Sequence, residues 1–280
     1  MEFNAQDLKR LREKTGAGML ECKNALVEAG GDFAKAERKL KELGLAAASK
    51  KASRATNTGL VFTKVAPNQA SLVELTCETD FVARNDLFLN LGKSIVETVF
   101  EEKLNAKTEA MDLMVKETVG KIKENMELRR VVTVTTGPGE VLADYVHDGR
   151  IGVVIRFRLS DPALAANPKV KETLFQCALH VAAFAPAFLS KEKAPAAWLK
   201  EQEEIFAKQV EGMEKPANVL AGIVKGKVNK LLAEACFLEQ PFVKDEKRKV
   251  SKVLEDLGKE AGGKIEVVDY TYIKVGEEAS

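Results

Sequence analysis

The chain is poor in the residues that usually mark covalent chemistry. It holds two histidines and four cysteines among 280 residues. Two histidines are too few for a Cys/His zinc site at recognised ligand spacing, so no metal is expected. Cys22, Cys77, Cys177 and Cys236 stand apart on apolar stretches, without a C-x-x-C pair, and read as reduced core thiols, not a disulfide framework. Phosphate-cradling loops are missing too. Neither G-x-x-x-x-G-K-[ST] nor G-x-G-x-x-G occurs, and the lone Gly16-Ala17-Gly18 lies between helical stretches, so no nucleotide and no cofactor is expected. No Ser/His/Asp set can be assembled. His180 falls on the apolar stripe of residues 170–184 and reads as core, which leaves no catalytic residue and predicts a non-enzyme. No apolar run reaches the ~18 residues of a membrane span. Met1-Glu2-Phe3-Asn4 passes straight into charged helical sequence, so the expectation is a cytoplasmic chain. An excess of charge is also absent. Forty-three Lys plus Arg against 42 Asp plus Glu give a net charge of +1, which argues against a bulk electrostatic grip on nucleic acid and favours a protein partner.

What is present is aliphatic and helix-rich: 45% apolar residues with 6% aromatics, enough for two or three domains. Residues 1–45 read as a three-helix module. Gln6 to Glu13 carries Leu8 and Leu11, Met19 to Ala29 carries Met19, Cys22, Leu26 and Ala29, and Asp32 caps a third helix with Phe33, Ala36, Leu40 and Leu43. Residues 46–58 lose periodicity and read as a linker with Lys50, Lys51 and Arg54. The period then switches to that of strands, predicting a hairpin of Leu60 to Val65 and Ala70 to Thr76. Helices follow over Asp86 to Phe100 and Thr108 to Ile122. A second hairpin is predicted from Leu128 to Thr135 and Glu140 to Val146 around Gly137-Pro138-Gly139.

The order hairpin, loop, helix recurs in Val141 to Val146, Ile151 to Leu159 and Val170 to Phe184, which suggests an internal duplication. The fold class expected is α+β, with a first half of the core at 59–139 and a second at 140–280. Inserted at about 190–236 is a helical hairpin, Pro195 to Glu211 and Pro216 to Ala235, each helix opened by a proline suited to the first turn. Its apolar stripe reads either as a prop against the core or as an arm for a partner or a second copy. Gln240 to Val243 returns to the core, and a helix from Val250 to Gly258 and strands at Lys264 to Val268 and Tyr270 to Val275 close the chain.

Two turns offer side chains to solvent. Thr79-Asp80-Phe81-Val82-Ala83-Arg84-Asn85 follows an apolar strand and carries one large aromatic. Its residues allow two readings: Phe81 tucked into the core with Asp80 capping the next helix, or Phe81 held out to a partner. The second turn, Tyr145-Val146-His147-Asp148-Gly149-Arg150-Ile151-Gly152, carries His147.

The first of these strings resembles the T-D-F-V-A-[KR]-[ND] signature of the bacterial elongation factor Ts family, the guanine-nucleotide exchange factors of elongation factor Tu. Three more segments carry the resemblance: Leu11 to Met19 with Cys22 to Leu26; Glu124-Asn125-Met126-Glu127-Leu128-Arg129-Arg130; and Leu238-Glu239-Gln240-Pro241-Phe242-Val243. The resemblance implies that residues 1–45 adopt a ubiquitin-associated-like fold. It further implies that Phe81 wedges between helices of the partner's nucleotide domain and displaces the groups holding Mg²⁺, with Thr79, Asp80 and Val82 shaping the turn. Arg12, Met19, Lys23, His147 and Val243 become further contacts by the same resemblance. Two departures stand out. Lys123 occupies a position where the family commonly has Gly, and the sequence stops at Ser280, where some members continue into a further helical module, so that contact is expected to be missing. Two other classes compete: a ubiquitin-associated-type adaptor acting through residues 1–44, and an RNA-binding protein using Lys50, Lys51 and Arg54, which would show steep salt dependence.

Overall fold

Caps and breakers set the ends of the first helices. Asn4 accepts from the N–H groups of Gln6 and Asp7 at 2.8 and 2.9 Å, and Asp7 returns a carboxylate to the Asn4 N–H, so α1 (Ala5–Thr15) opens with its donors satisfied. Gly16, at φ 67°, closes it. α1, α2 (Met19–Glu28) and α3 (Phe33–Lys51, capped by Asp32) pack around Leu11, Cys22, Ala25, Leu26, Ala36 and Leu40. The computed structural model describes residues 3–213 and 215–277.

α3 runs on to Lys51, through the first part of the segment expected as a linker. Ala46, Ala47 and Ala48 are strong helix formers, and Ala48 buries against the next core, so the irregular connection shrinks to residues 52–57. Leu43, expected inside the module, is 55% exposed.

β1 (Thr58–Ala66) and β2 (Gln69–Cys77) form the predicted hairpin, Ala66 opposite Gln69 across Pro67-Asn68. α4 (Asp80–Ala83), α5 (Asp86–Glu102) and α6 (Glu109–Ile122) follow, and β3 (Met126–Thr135) returns antiparallel beside β2. β2 is therefore the central strand, and every residue in it is buried. Phe62, Leu75, Phe88, Ile95, Val99, Met111 and Leu128 build the core between this sheet and its helices.

The remainder runs β4 (Glu140–His147), β5 (Ile151–Leu159), α7 (Pro168–Phe184), α8 (Ala196–Val210), α9 (Ala217–Ala235), β6 (Pro241–Phe242), β7 (Asp245–Lys249), α10 (Val250–Ala261) and β8 (Ile265–Lys274). The second predicted hairpin does not form: β3 belongs to the sheet β1-β2-β3, whereas β4 lies in another, ordered β4-β5-β8. The Gly137-Pro138-Gly139 corner is bonded elsewhere. The Glu140 carboxylate accepts from Gly137 N–H at 2.8 Å, and Gly139 C=O accepts from Leu159 N–H at 2.8 Å, which turns the corner toward β5. Pro195 and Pro216 are cap residues preceding α8 and α9, not first-turn residues. Ile205 and Val219, which the helical period puts on the facing apolar stripes of the two helices, are exposed. The two closing strands are one, β8, because Asp269 does not interrupt it and its carboxylate pairs with Arg156.

The architecture is thus mixed α+β in two compact units. One holds the residues up to Thr135, Val146–Gly152 and those from Ile273 on; the other holds Thr136–Tyr145 and Val153–Tyr272. The β4–β5 turn with His147 and the end of β8 belong to the first unit. No helix among the described residues is long and apolar enough to cross a membrane.

Candidate partner-docking site

β2 leaves its sheet into a turn that fastens its own backbone and keeps one ring outside. Thr79 caps α4: its Oγ1 accepts from Val82 N–H at 3.4 Å and donates to the Glu124 carboxylate at 3.0 Å. The Cys77 thiol donates to the Thr79 carbonyl at 3.2 Å, and burial pushes that thiol up to about 12, so it stays a protonated donor. Glu78 accepts from Asn125 N–H at 2.6 Å, and the Asn125 amide donates to the Arg54 carbonyl at 2.7 Å. Two of the segments that carry the family resemblance, 79–85 and 124–130, are therefore neighbours.

Val82 and Ala83 enter the core beside Phe88 and Leu91. With those two turned inward on a single helical turn, Asp80 and Phe81 face out, and Phe81 is 82% exposed. The tucked-in reading of Phe81 fails on this placement. So does the Asp80 cap: Asn85 caps α5, accepting from Leu87 N–H at 2.9 Å, while Asp80 sits in the first turn of α4, 3.3 Å from Arg84. That ion pair is exposed and is worth at most about 1 kcal/mol. The ring is different, because burying a Phe side chain from water returns about 1.5 to 3 kcal/mol.

His147 lies at a two-residue hairpin turn. Asp148 and Gly149 both have positive φ, 49° and 67°, and Arg150 N–H closes on the His147 carbonyl at 2.8 Å, the mirror-image turn that matches strand twist. Gly149 C=O accepts from Val61 N–H at 2.7 Å, so the turn is sewn to the open edge of β1. The imidazole Nε2 stands 3.6 Å from the Asp148 carboxylate, both side chains well exposed.

On the three-helix module Arg12, Met19 and Lys23 are all exposed. Residue-by-residue reasoning missed two companions on α2: Leu20, 69% exposed, and Val27, 60% exposed. The signal was available. Once Cys22, Ala25 and Leu26 face inward, the helical period leaves 20, 23, 24 and 27 on the outer face.

Val243 is half-buried, and its N–H donates to His180 Nδ1 at 3.1 Å. His180 is fully buried. Its Nε2 lies 2.8 Å from Gln240 Oε1, and because the Gln240 amide N–H donates to the Glu234 carbonyl at 2.6 Å, Oε1 is left to accept. Nε2 therefore carries the proton and the ring is neutral, its pKa held below the ordinary histidine value by burial. Phe184, Phe237 and Phe242 surround it.

Of the three cations considered for RNA, two are committed within the chain: Lys51 Nζ donates to the Lys123 carbonyl at 2.6 Å, and Arg54 pairs with Glu78 at 3.5 Å. All four cysteines are free and buried. Among the described residues, no group of three His, Cys, Asp or Glu could hold a metal ion.

An exposed ring on a braced turn and exposed apolar and basic side chains on the same unit's three-helix module are the features this structure offers to a protein partner. Residues 78–277 match the family model described as Elongation factor TS. The chain is 44% identical over 277 residues to Elongation factor Ts of Treponema denticola, covering 99% of both chains. It is 39% identical over 276 residues to that of Borreliella burgdorferi, covering 98% of this chain and 99% of the relative. With Treponema pallidum (strain Nichols) the identity is 40% over 288 residues, 99% of each chain. The protein belongs to the elongation factor Ts family. Members of that family are guanine-nucleotide exchange factors of elongation factor Tu, which is the protein partner, and they are not enzymes of covalent chemistry.

Proposed function

We propose that the protein binds elongation factor Tu·GDP and speeds GDP release by inserting Phe81 into the nucleotide domain, disturbing the Mg²⁺ and phosphate site, and that the nucleotide-free complex then accepts GTP in the cytoplasm. The observation that carries this reading is the 82% exposure of Phe81 on a turn braced by Glu78, Thr79 and Asn85. Thr79 and Val82 hold the backbone, and Asp80 sets the charge beside the ring. The thermodynamics is reciprocal: the factor by which the protein weakens nucleotide binding is the factor by which nucleotide weakens its own. Shifting the partner from 1:99 to 99:1 in favour of the nucleotide-free form takes about 5.5 kcal/mol of differential binding. A strong hot spot contributes ~2 to 4 kcal/mol, so one ring does not suffice. Arg12, Met19, Lys23, His147 and Val243 share the work in this reading.

The same reading takes residues 1–45 as a ubiquitin-associated-like module and the core as a duplication, each half a hairpin, one or more helices and a returning third strand. The hairpin of α8 and α9 serves homodimerisation. Its own core is small, Val228, Leu232 and Cys236 with Trp198, Leu199, Phe206 and Val224 partly covered, while Ile205, Met213 and Val219 stay exposed. Replacing residues 196–234 by a short Gly-Ser bridge should lower the solution mass of the dimer; an always-monomeric wild type refutes that part.

Timing the release of a fluorescent GDP from elongation factor Tu tests the main reading. Stimulated release at catalytic amounts of the protein is the expected result. No acceleration over the spontaneous rate refutes it.

A further inference from the structure

The three-helix module meets α6 at a pair of glycines. A Cβ added at Gly120 would stand 3.1 Å from Gly44 Cα and 3.3 Å from the Gly44 carbonyl carbon and oxygen, all backbone atoms that cannot swing aside. α3 and α6 therefore cross at backbone contact, closer than side chains would allow. Charge fastens the crossing on both sides. Lys41 Nζ lies 2.6 Å from Glu117 Oε1, Lys51 Nζ donates to the Lys123 carbonyl at 2.6 Å, and Lys123 Nζ lies 3.9 Å from Glu21 on α2. A cleft of about 410 Å³ opens beside it, walled by Leu40 and Leu43 of α3 and Lys121 at the end of α6. The residue after Lys123 is Glu124, the carboxylate that holds Thr79 at the base of the Phe81 turn.

We propose that α6 is the seat that fixes the module's partner-facing residues against the Phe81 turn, with Gly120 as its positioning residue. The inference rests on the reading that both places touch elongation factor Tu. Two contacts held on one rigid frame make the second engagement intramolecular, so fixing their separation raises affinity without any new contact. Tilting the module should therefore weaken capture of the partner. The step after capture should survive, because Glu124 and Asn125, which hold Thr79 and Glu78 under the ring, lie beyond the end of α6 and outside residues 1–45.

Exchange kinetics of the full chain against elongation factor Tu·GDP test this. Gly120→Leu should raise KM about ten-fold or more and keep kcat within about two-fold. Gly44→Ala, whose methyl would meet Gly120 Cα at 3.6 Å, an ordinary contact, should raise KM much less. A folded Gly120→Leu with the wild-type KM overturns the proposal. Should that variant not fold, the charge swap decides: Lys41→Glu and Glu117→Lys should each raise KM about two-fold and the double variant should restore it, and single reversals without effect overturn it. Phe81→Ala in the same assay separates the two readings. If Gly120→Leu raises KM while Phe81→Ala exchanges normally, the wedge fails and the seat stands.

Discussion

The turn around Phe81 and the pocket around His180 are both built from side-chain to backbone hydrogen bonds, yet one keeps its ring out and the other shuts its ring in. At Phe81 the polar bonds belong to the neighbours, Cys77, Glu78, Thr79 and Asn85, and the ring itself has no partner to satisfy. At His180 the ring is the hub, with both nitrogens engaged and Val243, Gln240 and Glu234 chained through it. The two sites store energy in different places. Exposed aromatic area on a rigid support is binding energy held back for a partner, whereas a buried polar hub is spent on the fold.

The largest effect should come from breaking the hub. His180→Ala opens a cavity and leaves Val243 N–H without its acceptor, which should cost ~3 to 5 kcal/mol in urea unfolding. A loss under ~1 kcal/mol would erase the contrast with Phe81. The pocket also predicts a pH dependence. The folded pKa of His180 lies below the ordinary value, so as pH falls the unfolded chain takes the proton first. Its contribution is complete above pH ~6.5 and fades as pH drops toward the folded value, with a slope of at most about 1.4 kcal/mol per pH unit. That slope should vanish from the difference curve once His180 is replaced.

Phe81→Ala should do the reverse. The thermal midpoint should barely move, while the exchange rate falls ten- to a hundred-fold, on the order of 1.4 to 2.8 kcal/mol of lost differential binding. A variant that melts early but still stimulates GDP release would make Phe81 a core residue in function and move the mechanism elsewhere on the interface.

Much of this contrast was legible in the sequence, though unevenly. The strand period placed β1 and β2 to within two residues at each end, and the apolar stripe put His180 inside. The exposure of Phe81 was not readable from its own neighbourhood, because a strand followed by a polar turn is equally compatible with a tucked ring. It follows from Val82 and Ala83 packing into the core beside Phe88 and Leu91, on a backbone that Thr79 and Glu78 tie to residues 124 and 125, and both are long-range facts. The failed hairpin has the same origin. Gly137-Pro138-Gly139 carries every local sign of a reversal, and only its bond to Leu159 shows that the chain is leaving one sheet for another. The helical start of the expected linker has a simpler origin, since alanines without a polar face lack periodicity even when they are helical.

A smaller effect belongs to the brace under the ring. Thr79→Ala removes the α4 cap and the bond to Glu124, which should cost about 1 kcal/mol of stability and lower the exchange rate a few-fold by loosening Phe81. Thr79→Ser, which keeps the hydroxyl, should restore most of both. If Ala exchanges as fast as wild type, rigidity of the turn is not what makes the ring effective.

The smallest effect should sit at Lys123, where stability and exchange are expected to move in opposite directions. The resemblance left the backbone here open, since a family glycine is replaced by lysine. The structure keeps the glycine-like conformation: Lys123 caps α6 at φ 70°, left-handed and strained for a side-chain-bearing residue, with its N–H on the Val119 carbonyl at 2.8 Å. Lys123→Gly relieves that strain but frees the unfolded chain, and the net gain should be about 0.5 kcal/mol, seen as a slightly higher midpoint. The same change deletes the ammonium that stands 3.9 Å from Glu21, a half-exposed pair worth under ~1 kcal/mol. If that pair helps hold the module beside the Phe81 turn, the more stable variant should be the weaker exchanger, with KM up by about two-fold and kcat unchanged. A variant that gains stability and keeps its KM would show that the lysine is only tolerated at this cap and that the seat on α6 does without it.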